Sequence, residues 1–225
     1  MLATRIIGGA VGRTINAIYA ASHAGAPRRY CIVAGYRHRD EAHFFDDTEN
    51  TDNWQREVYQ YAAQLMTGRS LRRVYDVGCG SGYKLMHYLG AFDTVGLDMP
   101  ETVAFLRKTY PERRWEVSDF AVPPAAPDLV VCSDVIEHLP DPDLLMSFLR
   151  RMKAPHVVLS TPARNLLYGR SSSFRYGPPA NPSHCREWSF DEFAQYVSGH
   201  FAIVDHRITN REQATQMVYC VPRTG

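Results

Sequence analysis

The sequence predicts one α/β domain with a doubly wound, mostly parallel seven-stranded sheet, an antiparallel final strand and an N-terminal helical cap. From Arg73 onward, short apolar segments typical of buried strands alternate with segments of helical pattern, as a parallel sheet with crossover helices requires. The last two apolar segments are joined by a polar stretch without a helical pattern, so we expect them to pair antiparallel. A length of 225 residues suits one such domain.

The expected elements follow in order along the chain. A helix is expected over 53–65, ahead of the first strand, and another over 102–110, where Pro111 would end it. Ser189 and Glu192 form a capping-box pattern for a helix ending near Ser198. The remaining helices are expected over 83–89 and 142–152, and the strands over 73–77, 94–98, 115–118, 128–133, 156–160, 201–208 and 216–221.

Two regions are expected to differ from this regular pattern. Residues 1–70 precede the first strand and are expected to form a helical cap or lid, leaving 71–225 as the sheet domain. Within that domain the segment 161–188 is long and carries Pro162, Pro178, Pro179 and Pro182. Long loops inside compact domains are usually functional, so we expect this one to contact the substrate.

Composition excludes several classes of protein. Hydrophobic residues make up 45% and charged residues 22%, and the net charge is +1. No overall electrostatic attraction to nucleic acid or to a membrane is therefore expected. The chain has 5 cysteines, an odd number with wide spacing, which argues against a disulfide framework or a zinc site and favours a reducing, cytoplasmic setting. No apolar run reaches the about eighteen residues of a membrane span.

The N-terminal segment has an unusual charge pattern. Residues 1–39 contain no acid, and apolar residues recur there at roughly helical spacing. A transit peptide, a surface-seeking amphipathic helix and a cap helix all fit this pattern. The cap is favoured because glycines interrupt the short apolar face. The basic residues are Arg5, Arg13, Arg28, Arg29, Arg37 and Arg39.

A glycine-rich turn follows the first expected strand, in the stretch Val74-Tyr-Asp-Val-Gly-Cys-Gly-Ser-Gly82. Glycines there permit positive φ angles and a close approach of the backbone to a ligand. Asp98 ends the second strand about twenty residues later, where an acid can accept hydrogen bonds from ribose hydroxyls. Ser118 and Asp119 end the third strand, where a carboxylate can accept from an adenine amino group.

These residues resemble the class I S-adenosylmethionine-dependent methyltransferases, whose first motif is an acid followed by G-x-G-x-G. The resemblance is strongest over 73–140 and implies a Rossmann-like fold with S-adenosylmethionine as cofactor. It also implies that Asp76 faces the methionine amino group, and that Asp98 holds the ribose. The cofactor-binding residues it implies are Asp76, Gly78, Gly80, Gly82, Asp98, Met99, Ser118, Asp119, Phe120 and Ser133.

A dinucleotide oxidoreductase is the alternative for the glycine turn. That class prefers G-x-G-x-x-G, which needs glycine where this chain has Tyr83. The methyltransferase interpretation is therefore favoured.

A possible metal site lies at the end of the fourth strand. Asp134, Glu137 and His138 form D-x-x-E-H, and on a helical turn these positions project to one side. A later stretch, His184-Cys-Arg-Glu-Trp188, gives the pair of motifs a resemblance to the small-RNA 3′-terminal 2′-O-methyltransferases. That resemblance implies Asp134, Glu137, His138 and His184 as ligands of Mg²⁺ or Mn²⁺, although Asp134 stands where that family has Glu. The alternative is that the acid and imidazole organise the loop or act as a base without metal.

The loop 161–188 also suggests how the acceptor binds. It has arginines and, from 163 to 186, no acid, which suits phosphate recognition, unless these arginines pair with acids of 40–52. The acceptor-binding candidates are Trp54, Arg175 and Arg186. Aromatic residues that could line an acceptor pocket or simply pack in the cap are Phe44, Phe45, Trp54, Tyr168, Phe174 and Tyr176.

The catalytic candidates are His184, His138 and Asp134. A hydroxyl acceptor must lose a proton, which either histidine could accept, whereas nitrogen acceptors usually accompany an N-P-P-Y type motif absent from this chain. We therefore expect O-methylation of a sugar, glycan or other small natural product, with or without phosphate. The alternatives are 2′-O-methylation of an RNA 3′ end, for which no dense basic stripe is visible, and a non-catalytic, cofactor-binding partner subunit. The oligomeric state stays open.

Overall fold

A computed structural model describes residues 2–43, 45–123 and 125–223, with side chains from residue 9 onward. The strands are β1 (Arg73–Val77), β2 (Asp93–Asp98), β3 (Arg114–Val117), β4 (Leu129–Ser133), β5 (His156–Pro162), β6 (Phe201–Asn210) and β7 (Thr215–Pro222). The helices are α1 (Leu2–Ser22), α2 (Arg56–Gly68), α3 (Tyr83–Leu89), α4 (Pro100–Thr109), α5 (Pro142–Arg151), α6 (Arg164–Leu167) and α7 (Phe190–Ser198).

The strands form one seven-stranded sheet in the order β3-β2-β1-β4-β5-β7-β6. Strands β1 to β5 pair in parallel, and β7 runs antiparallel to both β5 and β6. The predicted fold class is therefore confirmed. Because the chain leaves β1 toward one edge and returns through β4 toward the other, a crevice opens at the carboxyl ends of these two strands.

Both faces of the sheet are covered, as expected for central parallel strands that are rich in apolar residues. On one face Phe148 of α5 and Phe193 of α7 are fully buried in the core. On the other face Val58 of α2, Leu85 of α3 and Leu106 of α4 are fully buried. Two layers of helices therefore hold the sheet on either side and leave its carboxyl edge for the loops.

The largest differences from the expected elements lie outside the central strands. Helix α2 runs from Arg56 to Gly68 instead of 53–65, because 53–55 belong to a segment that crosses the sheet edge. The loop expected over 161–188 holds the short helix α6 and a 3₁₀ helix over Ser173–Tyr176. Parts of the expected cap contribute to the main core, since Ile32 and α2 are buried against the sheet. No helix in the described residues is both long and apolar enough to cross a membrane.

A buried ion pair joins this loop to α7. Arg164 and Glu192 form a salt bridge with side chains 7% and 9% exposed. Glu192 also accepts backbone N–H groups from Val33, at 2.7 Å, and from Ser189, at 2.8 Å. One carboxylate thus joins the N-terminal segment, the loop and the start of α7.

Replacing Glu192 with alanine is expected to lower the free energy of unfolding by about 3–5 kcal/mol, because the Arg164 charge would remain buried without a partner. Chemical denaturation followed by circular dichroism measures this change. The matched control is Glu112→Ala at an exposed site, expected to change stability by less than about 0.5 kcal/mol. Equal effects of the two variants would contradict a structural role for the buried pair.

Candidate active site

The glycine turn between β1 and α3 lies at the crevice. Gly78 and Gly80 adopt φ angles of 75° and 52°, in the left-handed region that favours glycine. A side chain at Gly78 would collide with Val135, and one at Gly80 would collide with the Asp47 carboxylate. The turn therefore needs glycine for its backbone angles and for the close approach of its neighbours.

Asp98 closes this turn from the adjacent strand. Its carboxylate accepts the backbone N–H of Gly80 at 2.8 Å and that of Met99 at 2.8 Å. Burial raises the pKa of Asp98, although these hydrogen bonds oppose the shift. The side chain thus fixes the glycine turn relative to the end of β2.

Asp76, the last acid of β1, is fully buried. One carboxylate oxygen accepts the Tyr59 hydroxyl at 2.9 Å, while the other has no hydrogen-bond partner within the described residues. Burial raises the pKa of Asp76 to about 7, while the Tyr59 hydrogen bond and Lys84 oppose the increase. A buried carboxylate with an unpartnered oxygen is suited to bind a cationic group.

The segment 46–55 crosses the crevice above the turn. Lys84 donates to the Thr51 carbonyl at 3.3 Å, and Tyr88 donates to Asp52 at 2.7 Å. These contacts place Asp47 against Gly80, where burial raises the pKa of Asp47 to about 6. Acidic side chains from three parts of the chain therefore surround the glycine turn, which suits a ligand carrying positive charge.

The end of β3 lies at the far side of the crevice. Ser118 accepts the Phe120 N–H at 3.2 Å, and Asp119 accepts the Ala121 N–H at 2.9 Å. Phe120 has a φ of 64°, and Asp119 and Met99 are exposed. These residues form a tight turn beside Asp98.

The D-x-x-E-H residues separate into two groups. Asp134 adopts a φ of 53° and accepts from Gln55 at 3.0 Å and from Ser160 at 2.5 Å. Since Ser160 donates its proton to Asp134, the Ser133 hydroxyl donates to Ser160, at 2.7 Å. Asp134 therefore holds the end of the crossing segment, and its carboxylate is not part of the cluster of potential metal ligands that Glu137, His138 and His184 form.

Glu137, His138 and His184 bring their potential ligand atoms within 4.8 Å of one another. His138 donates from Nδ1 to the Ser183 carbonyl at 2.8 Å, and His184 donates from Nδ1 to Glu187 at 2.7 Å. These bonds leave Nε2 of both rings with a lone pair. Burial, with His184 nearby, lowers the pKa of His138 to about 4, so this ring is neutral at physiological pH.

The chemistry of this cluster fits a divalent cation. The Oε1 atom of Glu137 is buried and has no hydrogen-bond partner in the part of the chain that the structure describes, while its Oε2 atom accepts from Thr161 at 3.0 Å. Metal-binding histidines commonly donate their second N–H to a carboxylate or carbonyl, as both rings do here. Against this, the Asn181 amide already donates to Nε2 of His184 at 2.9 Å. The cluster is thus suited either to a metal or to accepting a proton.

The acceptor candidates lie in different environments. Trp54 is 51% exposed on the crossing segment, and Arg175 is half-buried beside the cavity that Arg164 and Tyr168 also line. Arg186 is 1% exposed and donates to the carbonyls of Leu139 and Pro140. The structure therefore does not bring Arg186 to a surface where an acceptor could bind, because its guanidinium holds the turn after His138.

The aromatic candidates also lie in different environments. Phe45 stacks near His138, with ring centroids 6.1 Å apart, and is 51% exposed, so it borders the imidazole cluster. Tyr176 is buried and Phe174 faces outward, while Phe44 lies outside the described residues. No described salt bridge joins an arginine of 163–186 to an acid of 40–52. Arg164 pairs instead with Glu192.

Sequence reasoning missed the residues that support the site from other elements. Asp47, Gln55 and Tyr59 precede the glycine motif and reach it only through the fold. Glu187 was visible as the acid of the H-x-x-E-W stretch, and its spacing of three residues from His184 is the signal for the observed contact.

The geometry agrees with comparisons to known proteins. The model of a family described as "Methyltransferase domain" matches residues 40–205. A probable S-adenosylmethionine-dependent methyltransferase of Mycolicibacterium smegmatis is 36% identical over 148 residues, 62% of this chain and 54% of that protein. A ubiquinone biosynthesis O-methyltransferase of Aliivibrio fischeri is 34% identical over 119 residues, 47% of this chain and 50% of that protein. The chain thus spans about half the length of these curated relatives.

Solved structures share the fold. The magnesium protoporphyrin IX methyltransferase of Synechocystis PCC 6803 with bound S-adenosylhomocysteine aligns with a TM-score of 0.61 at 19% identity. The alignment covers 75% of this chain and 83% of that one. The chain belongs to the class I S-adenosylmethionine-dependent methyltransferase family.

Asp76→Asn is expected to raise the free energy of unfolding of the cofactor-free protein at pH 8 by about 2–4 kcal/mol, and by less at pH 5. The folded-state pKa of about 7 lies above the unfolded value, so the wild type loses stability as pH rises toward 7, and asparagine removes this loss. Denaturant titrations at both pH values measure it. Glu116→Gln, an exposed control, should show no change, and an effect of Asp76→Asn independent of pH would contradict the assignment.

Proposed function

We propose that the chain transfers the methyl group of S-adenosylmethionine to a hydroxyl oxygen. The observation that carries this proposal is the junction of two clusters at the carboxyl edge of the sheet. The acidic crevice around Gly80 suits a cationic cofactor, and the histidine pair with Glu137 lies beyond Asp134. Asp134 connects the two, because it follows β4 directly and binds Gln55 of the crossing segment.

In this proposal the cofactor occupies the crevice around the glycine turn. Asp76 binds the methionine amino group, and Asp98 binds the ribose hydroxyls, next to the backbone of Gly78 and Gly80. The ammonium and sulfonium charges of the cofactor offset buried carboxylates, which lowers the cost of keeping them ionised. The adenine lies among Met99, Ser118, Asp119 and Phe120, and Ser133 holds Asp134 in place through Ser160.

The chemical step is a direct displacement. A lone pair of the acceptor oxygen forms a bond to the methyl carbon while the carbon–sulfur bond breaks. The electron pair of the carbon–sulfur bond goes to sulfur, which gives S-adenosylhomocysteine. Alignment supplies most of the acceleration, because the sulfonium is already electrophilic. The hydroxyl proton passes to Nε2 of His184 once the acceptor hydroxyl has displaced the Asn181 amide from that atom. Glu187 orients the His184 ring at 2.7 Å, and His138 is the alternative base.

The acceptor class is inferred from the name of one relative and from three side chains near the site. The name of the Aliivibrio fischeri relative describes an O-methyltransferase, which supports oxygen over nitrogen. Arg175 beside its cavity suits an anionic group, and Trp54 and Phe45 offer apolar faces. We infer a sugar, glycan or other small natural product, with a phosphorylated form as one option.

A second candidate is metal-dependent 2′-O-methylation of an RNA 3′ end. The convergence of Glu137, His138 and His184 favours it. These residues would hold Mg²⁺ or Mn²⁺, which would lower the pKa of the acceptor hydroxyl. Asp134 does not join this ligand set within the described residues. A non-catalytic cofactor-binding subunit is the remaining alternative, and measurable turnover would exclude it.

His184→Ala is expected to lower kcat by a factor of about 10²–10⁴ while leaving S-adenosylhomocysteine affinity unchanged, because the ring lies beyond the cofactor crevice. Turnover with labelled cofactor and calorimetric titration measure the two effects. The control is His200→Ala, which removes a half-buried histidine near Asp143. Near-normal turnover of His184→Ala would refute its role.

Removal of divalent metal tests the second candidate. Transfer to a panel of nucleotide sugars, glycans, phenolics and a short single-stranded RNA is measured with EDTA, and again with added Mg²⁺ or Mn²⁺. We expect transfer to a small hydroxyl acceptor that EDTA leaves unchanged, because His184 suffices as base. Transfer restricted to RNA and abolished by EDTA would replace this proposal with the metal-dependent one.

A further inference from the structure

In the part of α1 whose side chains the structure describes, the large aliphatic side chains face away from the protein. Val11, Ile15 and Ile18 are 53%, 59% and 65% exposed, and their spacing places them on one face of the helix. A helix on the surface of a soluble domain normally turns its apolar stripe toward the core. This arrangement leaves a continuous aliphatic ridge, named here the α1 ridge, without a protein partner in the described residues.

An adjacent face of α1 attaches to the protein through Gly12, Asn16 and Tyr19. Asn16 donates to the carbonyls of Arg170, at 2.9 Å, and Ser172, at 3.0 Å, and Tyr19 donates to the Gly35 carbonyl at 2.8 Å. Gly12 lies so close to Ser171 that a side chain there would collide with it. These specific contacts fix the rotation of the helix, so the exposure of the α1 ridge follows from how it is attached.

The loop on which α1 packs also exposes apolar side chains and an arginine. Leu167 and Phe174 are 41% and 43% exposed, and Arg170 is exposed beside Asn16. Arg13 is exposed on α1 itself, on the polar side of the helix that is turned away from the ridge. Neither 1–39 nor 163–186 contains an acid, although the net charge of the chain is only +1. Acid-free, positively charged sequence and exposed apolar groups therefore occur together in α1 and in the loop on which it packs.

We propose that the α1 ridge, together with Leu167 and Phe174, binds the surface of an anionic lipid membrane. An interfacial helix presents an aliphatic face to acyl chains and carries arginines and no acids on its polar face, as this acid-free segment does. The helix lies in the plane of the interface and does not span the bilayer.

Membrane binding would also place the candidate acceptor loop at the bilayer. The segment 170–176 touches α1 on one side, and Arg175 lines the cavity beside Tyr168 on the other. An amphiphilic acceptor, with its hydroxyl group in the headgroup region, would then have a short path to the site. This extension rests on the proposed function, whereas the membrane binding does not.

The test is flotation of the full chain with vesicles of phosphatidylglycerol and phosphatidylcholine, compared with phosphatidylcholine alone. We expect binding to the anionic vesicles that weakens with added salt. The variant Val11→Ser/Ile15→Ser/Ile18→Ser should lose about tenfold or more of this binding. Its matched control is Val122→Ser/Leu144→Ser/Val204→Ser, which removes exposed aliphatic side chains elsewhere and should bind as the wild type does.

Two further measurements keep the outcome unambiguous. Arg13→Gln/Arg170→Gln should weaken binding without altering the ridge, and the thermal stabilisation of each variant by S-adenosylhomocysteine shows that the cofactor site is intact. Flotation requires no methyl transfer, so a chain that fails to float leaves the proposed function standing. Failure to detect methyl transfer likewise leaves the membrane-binding proposal standing. Wild-type protein that fails to float, or a ridge variant that floats equally well, would overturn the proposal. So would light scattering showing that the ridge variant converts a dimer to a monomer while the wild type does not float.

Discussion

The structure depends on one constraint, the burial of the Asp76 carboxylate at the end of the central strand. A charge in that position is unfavourable without compensation, and Tyr59 supplies only one hydrogen bond. Asp98 and Asp47 add negative charge to the same crevice. This burial reduces the stability of the cofactor-free protein, and in the proposed function the bound cationic cofactor would restore it, a trade that binding sites commonly make. The crossing segment, the glycine turn and α2 are all arranged around this carboxylate.

The central sheet and the glycine turn could be predicted from the sequence because they depend on local patterns. Strands β1 and β4 are short apolar runs buried on both faces, and the capping box of α7 lies within four consecutive residues. The contacts of Asp47 and Tyr59 could not be predicted in this way. They join the segment before β1 to residues at the sheet edge, and nothing in the spacing of one sequence specifies which side of the crevice that segment crosses.

Arg186 shows why residue type alone is an unreliable guide to function. Its place in an acid-free loop suggested phosphate binding, but its guanidinium is 1% exposed and donates to the carbonyls of Leu139 and Pro140. Those carbonyls follow His138 directly, so Arg186 serves the site by holding the turn that carries the imidazole. A bidentate donor satisfies two backbone carbonyls as readily as two phosphate oxygens. Only the burial of the side chain distinguishes the two uses.

The two histidines illustrate how the same geometry serves different chemistry. Each ring donates its Nδ1 proton to the protein, which leaves the Nε2 lone pairs near the unpartnered oxygen of Glu137. That arrangement suits a metal ion, but it equally suits a neutral base that must accept a proton from an acceptor hydroxyl. The amide of Asn181 at Nε2 of His184 occupies the position that such a hydroxyl would take. A metal ion and an acceptor hydroxyl would each have to displace this amide, so the two uses share this cost, and the response of turnover to EDTA distinguishes them.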